Sequence, residues 1–269
     1  MKCLNVIVYY ENPEEVREYI LETLSIGHGM VDILVVVNRD EAQKAAPLIK
    51  ELGRDGKGQV RTADYGGNVG YLNALLKSMQ TIDPAAYDYV ILSNTDIHYE
   101  TRDLFQILSE RDYPADVGCI APSVFNTQSK SYSNPHYMER VPKEKLERLI
   151  RIFQNPTLAG MYLKLAGLKS GRTKAEKKPS CYVYSPHGCY MIFTGDFLSR
   201  IRGYEYGVKM YSEESAVGEL LRRNGLRCYY DDGMEVIHQE SSVTGSMNSR
   251  ARFQAWRDSL IYIVQEFYT

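Results

Sequence analysis

Four groups of side chains in this sequence have the types and spacing to do chemistry. The run 64–73, Asp-Tyr-Gly-Gly-Asn-Val-Gly-Tyr-Leu-Asn, is a glycine-rich turn opening a helix. Such a turn offers backbone N–H groups to a phosphate or nucleotide, although glycines before helices are common without a ligand. It has neither the GxxxxGK[ST] pattern of a P-loop nor the GxGxxG spacing of a dinucleotide fold. Asp96 closes Asn94-Thr95-Asp96 after a short apolar run. A carboxylate there either binds Mg2+ or Mn2+, which can bridge diphosphate oxygens, or is an ordinary turn aspartate. Glu213 and Glu214 follow Tyr211-Ser212 at a helix start, where they either cap the helix or supply a general base toward a hydroxyl. His238 ends the run 235–238, ahead of Ser241-Ser242. A lone histidine is more often structural, but beyond a strand whose neighbours carry carboxylates it is a reasonable nitrogen ligand.

These groups need elements to position them. Short apolar runs at 6–10, 33–37, 59–63, 89–92 and 117–122 predict strands. Polar, helix-periodic segments alternate with them at 13–24, 41–52, 70–79 and 104–110. The first of these helices has Asn12 at the N-cap and Pro13 at its first position. This rhythm predicts an α/β fold with a mostly parallel sheet, whose ligands sit beyond the carboxyl ends of the strands. Glu11, Asn38, Asp64 and Asp96 fall at those ends. Further on, 182–193 reads as one apolar strand with His187-Gly188 at a bend. A helix over 213–224 is ended by Gly225, short strands follow at 227–230 and 234–237, and 251–268 closes the chain as a helix.

The stretch 139–178 differs from the rest. It carries eleven Lys and Arg against four Glu in a chain of net charge −2. Leu146, Leu149, Ile150 and Phe153, then Leu158, Met161, Tyr162 and Leu165, have helical spacing, so two amphipathic helices and a basic loop are expected. One reading is contact with an anionic membrane surface or a lipid-linked acceptor. The simpler reading is a helical insertion packed on the core with its basic face in water.

Composition sets outer limits. With 269 residues, 44% hydrophobic and 25% charged, the chain can bury a substantial core, and its charge gives no general basis for nucleic-acid binding. Five cysteines without CxxC spacing argue against a disulfide framework or a zinc site and for reduced thiols. No basic leader precedes the apolar run 4–10, and no stretch nears the ~18 apolar residues of a membrane span. The expectation is a cytoplasmic protein, with peripheral attachment to the inner membrane face as one option. The 22 tyrosines either suit sugar surfaces or, more simply, stand in for phenylalanine, of which there are seven.

The order of the four groups resembles that of family 2 glycosyltransferases with the GT-A (Rossmann-like) fold, in particular their bacterial rhamnosyltransferase-like branch. The resemblance runs over most of residues 4–242. Asn68-Val69-Gly70 with Asn73 looks like the family's Asn-x-Gly…Asn element, and Ser93-Asn-Thr-Asp96 like an Asn-x-Asp form of its DxD motif. His187-Gly188-Cys-Tyr-Met-Ile-Phe193 resembles its glycine-rich acceptor-side strand, Tyr211-Ser-Glu213-Glu214 its Tyr-x-Glu-Asp/Glu motif, and His238 its late histidine. With Asn at 94, Asp96 becomes the motif's direct carboxylate; Glu214 is one methylene longer than the usual Asp, and the basic insertion is longer than the family pattern.

The resemblance implies one GT-A domain over 1–269: a nucleotide-binding half (1–122), the basic insertion (139–178), and an acceptor-side half with the closing helix (181–269). It implies transfer of a hexosyl or deoxyhexosyl unit, with inversion, from a nucleoside-diphosphate sugar to a hydroxyl of a glycan or lipid-linked acceptor in cell-surface polysaccharide synthesis. Asp96 and His238 would hold Mn2+ or Mg2+. Tyr9, Glu11, Asn38, Asp64, Asn68, Gly70, Asn73, Asn94 and Gly188 would line the donor pocket, and Glu214 would act as base with Glu213 orienting hydroxyls. A sugar-nucleotide nucleotidyltransferase is one rival, although Tyr9-Tyr-Glu-Asn-Pro13 stands where its basic glycine-rich segment is expected. A non-catalytic nucleotide-sugar-binding relative is the other.

Overall fold

The structure is a computed structural model, and it describes residues 1–10, 12–38, 47, 51–52, 60–170, 176–239 and 249–268, excepting the side chains of 166–170. Glu11, Ser241-Ser242, most of the expected helix 41–52 and part of the basic loop lie outside the described residues. Ten strands form one sheet: β1 (Cys3–Tyr9), β2 (Val31–Val37), β3 (Val60–Asp64), β4 (Tyr89–Ser93), β5 (Ile97–Tyr99), β6 (Val117–Asn126), β7 (Ser131–Tyr132), β8 (Cys181–Val183), β9 (Tyr190–Thr194) and β10 (Arg227–His238). The helices are α1 (Pro13–Gly27), α2 (Tyr71–Thr81), α3 (Leu104–Glu110), α4 (Lys143–Phe153), α5 (Pro156–Ser170), α6 (Gly195–Arg200), α7 (Glu213–Arg223) and α8 (Ser249–Phe267).

The strand order is β3-β2-β1-β4-β9-β6-β10-β5. Along it β3, β2, β1, β4, β6 and β10 all run one way, as the sequence rhythm predicts, and β9 is inserted antiparallel between β4 and β6. This reversal matters: the start of β9 meets the carboxyl ends of its neighbours, so the residues just before it reach the ligand edge of the sheet. The apolar run over 182–193 is therefore two strands, β8 and β9, joined by the His187-Gly188 turn. The two short strands expected at 227–237 are a single β10, with a register shift between Asp231 and Glu235.

Side-chain alternation sends Leu34 and Val36 to one face of the sheet and Ile33, Val35 and Val37 to the other, each into its own buried cluster. α1 and α3 cover the second face, and α2 with α4–α8 cover the first. Asn12 caps α1 by accepting from the Glu15 N–H at 3.3 Å. The closing helix buries Phe253, Leu260, Ile263 and Phe267, with Trp256 and Val264 half-buried against the same core.

The basic insertion packs on the first face through Leu146, Phe153 and Ala159. α4 is amphipathic as expected. α5 is not: it has apolar residues on every face, and the core takes Ala159, Tyr162 and Leu163 while Leu158, Met161 and Leu165 point outward. Of the expected stripe, Tyr162 alone meets the core, and Leu158, Met161 and Leu165 are turned to the surface. No helix among the described residues is long and apolar enough to cross a membrane.

Candidate active site

The sheet topology gathers residues separated by up to 142 positions into one corner. Asp96 follows β4, and the chain then reverses into β5, which pairs antiparallel with the end of β10 so that His238 stands opposite Ile97. That register brings the Asp96 Oδ1 to 3.3 Å from the His238 Nε2, both side chains only 8% exposed. The Gln239 N–H locks the junction by donating to the Asp96 carbonyl at 3.0 Å. His187 and Cys189 arrive from the reversed β9. The His187 ring centroid lies 5.8 Å from that of His238, and donor atoms of His187, Cys189 and His238 all fall within 4.8 Å of one another. Burial, reinforced by the charges of His136 and His238, lowers the His187 pKa to about 3 against the opposing pull of Asp96, so its imidazole is neutral at physiological pH.

Asn134, 1% exposed, holds this corner in place. Its amide donates to the Pro122 carbonyl at 2.7 Å, and its carbonyl accepts from the backbone N–H groups of His136 and His187, each at 3.1 Å. Nothing in the spacing of the sequence marks Asn134, and cysteine spacing alone does not reveal Cys189. His187 is visible beforehand only as part of the glycine-rich strand.

The glutamate pair faces this corner across Gly188. A Cβ on Gly188 would sit 2.7 Å from the Glu214 Oε1, so only glycine lets the β9 turn lie this close to that carboxylate. Glu213, in the first turn of α7, is buried; burial and the adjacent charge of Glu214 push its carboxyl up to about 8, against the hydrogen bonds of the nearby backbone. The approach to α7 is strained, since Tyr211 (φ 70°) and Ser212 (φ 61°) are consecutive non-glycine residues in the left-handed region. Several contacts hold it there. The Tyr206 hydroxyl donates to the Tyr211 carbonyl, Ser212 Oγ bonds Ser259 Oγ at 2.9 Å, and the Tyr211 ring lies 5.2 Å from that of Trp256.

The expected donor-side residues divide into three groups. Asn38 and Asn68 shape the glycine-rich turn: Asn38 donates to the Asn68 Oδ1 at 3.0 Å and accepts from the Val69 N–H at 2.8 Å, while Asn68 accepts from Gly70 at 3.0 Å. Asp64 is exposed and accepts from the Gly66 N–H at 2.9 Å. Asn94 is half-buried, its backbone N–H on the Cys189 carbonyl at 2.9 Å. Gly70 (φ 89°) allows the Lys209 carbonyl to approach where a Cβ would collide.

Two residues expected at the donor have other partners. Asn73 spends its side chain as a clip, donating to the Tyr206 and Val208 carbonyls at 2.8 and 3.2 Å and accepting from the Tyr206 N–H at 3.0 Å. Tyr9 shares the face of Ile7 by strand alternation and is 1% exposed within the core. A residue not singled out in the sequence joins the site instead. The Tyr71 hydroxyl is enclosed without a hydrogen-bond partner among the described residues, and burial together with the charges of Cys189, Tyr19, Glu213 and Asp96 raises its pKa well above the ordinary value.

The donor set suits a divalent cation. The His238 Nδ1 is enclosed and has no hydrogen-bond partner among the described residues, a costly state that a ligand on this ring would relieve. Imidazole nitrogens beside a carboxylate favour Mn2+ and its borderline neighbours over Mg2+, which prefers oxygen ligands.

No protein-family model matches this chain. No curated protein matches it either. Among solved structures it resembles the mannosyltransferase PcManGT from Pyrobaculum calidifontis in complex with GDP-Man and Mn2+, with a TM-score of 0.58, 10% identity, and coverage of 90% of this chain and 58% of that one. It also resembles GalNAc-T7 with UDP, GalNAc and Mn2+, with a TM-score of 0.59, 13% identity, and coverage of 98% of this chain and 48% of that one. The chain thus spans about half the length of these two structures. At this identity the likeness speaks for architecture: the chain has the GT-A glycosyltransferase fold.

Proposed function

We propose that this protein is a metal-dependent glycosyltransferase of the family 2, rhamnosyltransferase-like kind, moving a sugar with inversion from a nucleoside diphosphate to a hydroxyl of a glycan or lipid-linked acceptor. The observation that carries the reading is the convergence of Asp96, His238 and Glu214, from three distant parts of the chain, around the His187–Cys189 turn. Asp96 and His238 would hold Mn2+ or Mg2+, with His187 as a further neutral nitrogen donor. When bound there, the cation supplies positive charge against the departing diphosphate.

The protein's own residues do the rest. The turn shaped by Asn38, Asn68 and Gly70, with Asp64 and Asn94 nearby, receives the nucleotide. The Tyr71 hydroxyl donates to an oxygen of the donor, and this bond supplies its missing partner. Glu214 accepts the proton of the acceptor hydroxyl as that oxygen bonds to the anomeric carbon. The bond from the anomeric carbon to the diphosphate oxygen breaks, and its electron pair leaves with the nucleoside diphosphate. Glu213, protonated below about pH 8, can donate a hydrogen bond to a sugar hydroxyl.

The test is a thermal-shift screen of UDP, dTDP and GDP with and without Mn2+, on wild type and on Asp96→Ala. The expected outcome is a Mn2+-dependent stabilisation by one nucleotide that Asp96→Ala removes, followed by sugar transfer from the matching donor. The same shift in Asp96→Ala would remove the metal assignment. Binding without transfer or hydrolysis across all three donor classes and suitable acceptors would favour the non-catalytic binding relative. Release of pyrophosphate from a nucleoside triphosphate and a sugar phosphate would favour the nucleotidyltransferase.

A further inference from the structure

Among the described residues, the outward face of α5 has no partner. Leu158, Met161 and Leu165, at i, i+3 and i+7, are 49%, 56% and 59% exposed, and they form one apolar stripe. A helix that is apolar all round belongs in a core or against an apolar medium, and here the core covers only the side bearing Ala159, Tyr162 and Leu163. The surroundings are cationic. Lys145, Arg148 and Arg151 on α4 and Lys164 on α5 are exposed, and α5 leads into a segment with Lys169, Arg172, Lys174, Lys177 and Lys178 against the single Glu176. Arg140 and Lys177 are tied to Glu219 and Glu235, and the only carboxylate partner of Arg151 among the described residues is Glu147, at 4.0 Å.

We propose that α5 is a docking element that lies in the interface of an anionic lipid bilayer. Leu158, Met161 and Leu165 enter the acyl boundary, and the exposed Lys145, Arg148, Arg151 and Lys164 meet the headgroups. The charge selects this occupant, because an uncharged apolar partner would gain nothing from the surplus of cations. Position agrees with it. The Phe153 ring lies 6.3 Å from Tyr162 of α5 and 5.2 Å from Trp256, which in turn lies 5.2 Å from Tyr211 beside the glutamate pair. α5 is thus linked through packed rings to the approach to α7, where the glutamate pair sits. The proposal does not depend on sugar transfer, and its test does not measure transfer.

The full-length protein is sedimented with vesicles of neutral phosphatidylcholine, and with vesicles containing about 30% phosphatidylglycerol, at low salt and at about 0.5 M salt. The same series is run on the triple variant Leu158→Ser, Met161→Ser, Leu165→Ser, whose fold is checked by its thermal transition. Sedimentation velocity of both proteins reports self-association. The expected result is binding to the anionic vesicles that high salt weakens and that the variant loses by roughly tenfold or more at an unchanged thermal transition. No wild-type binding at low salt, or equal binding by a folded variant, overturns the proposal. A concentration-dependent dimer that the variant abolishes, without vesicle binding, overturns it in favour of a second copy of this chain.

Discussion

Helix α7 carries two buried glutamates in opposite circumstances. Glu219, 0% exposed, accepts hydrogen bonds from Arg140 Nε at 2.5 Å, the Tyr184 hydroxyl at 2.9 Å and Arg222 Nε at 3.0 Å. Burial alone would raise its pKa, but these donors outweigh burial and hold the carboxyl below the ordinary range. Glu213, at the other end, forms no ion pair among the described residues, lies next to Glu214, and is raised to about 8. Where the chain needs only to hold its insertion on the core, every demand of the buried charge is met from within. Where it faces the candidate site, polar groups are left short of partners among the described residues: Glu213 without a cation, the Tyr71 hydroxyl and His238 Nδ1 without hydrogen bonds. Under the proposed function, that contrast separates a structural carboxylate from the candidate functional pair on one helix.

The largest effect is expected at the functional end. Glu214→Gln keeps the shape of the side chain and removes the base, so turnover should fall about a thousandfold while the donor dissociation constant changes less than about twofold. Steady-state kinetics and calorimetric titration of the donor measure the two. Turnover within about tenfold of wild type would make Glu214 another structural carboxylate. At the structural end, Glu219→Ala leaves Arg140 and the Tyr184 hydroxyl without their acceptor. It should cost about 3 kcal/mol in urea unfolding, the low end for a broken buried pair, because the Arg140 and Arg222 side chains are 37% and 53% exposed and water screens them. A loss below about 1 kcal/mol would dissolve the contrast.

The same contrast explains what could be read in advance. Continuous runs of Val, Ile and Leu and the polar segments between them dictate β1, β2 and β4 and their helices, because burial on both faces of a parallel sheet leaves a dense local signal. The candidate residues Asp96, Glu214 and His238 could be singled out because each sits at an element boundary with a recognisable neighbour. Asn134 and Tyr71 were not, since their importance arises from contacts with segments far away in sequence: Asn134 with the His187 turn, 53 positions on. The direction of β9 was equally hidden, because an apolar run carries no mark of its polarity in the sheet. Tyr9 and Asn73 were misplaced for the converse reason. Each lies beside the site in sequence, but strand alternation turns Tyr9 into the core, and Asn73 is taken up by the loop at 206–208. The tyrosine excess follows the simpler reading in part: in the core Tyr19 stacks on Tyr99, Tyr190 meets Tyr99 edge-on, and the Tyr19 and Tyr190 hydroxyls both bond that of Tyr99.

Gly188→Ala tests whether the functional end depends on close approach. The added Cβ would meet the tip of the Glu214 side chain, at 2.7 Å, and its Cδ at 3.3 Å, with no backbone in the way. A flexible carboxylate can swing aside, so stability should change by less than about 1 kcal/mol, while turnover falls about tenfold because the base is displaced. Unchanged turnover at unchanged stability would mean that the Glu214 position seen here is not the working one.

The smallest expected effect is the most direct reading of the two carboxyls. Glu213 has a folded-state pKa near 8, above the ordinary value of 4.5 that it regains on unfolding. Its contribution to stability is therefore fully present below about 4.5 and is lost progressively as pH rises toward 8, because the unfolded chain releases this proton first. Glu219 has the opposite sign: its depressed pKa stabilises the fold above 4.5 and fails as pH falls below it. The two act in separate windows. Thermal transitions measured between about pH 5 and 8.5 should decline in wild type, and Glu213→Gln, which mimics the protonated carboxyl, should flatten that decline and raise the midpoint at the alkaline end by a few degrees. Bound donor and Mn2+ should flatten the slope in wild type as well, if they supply the positive charge and hydrogen-bond partners that this end of the helix lacks. A slope that survives Glu213→Gln would place the titrating group elsewhere and leave Glu213 as ordinary a carboxylate as Glu219.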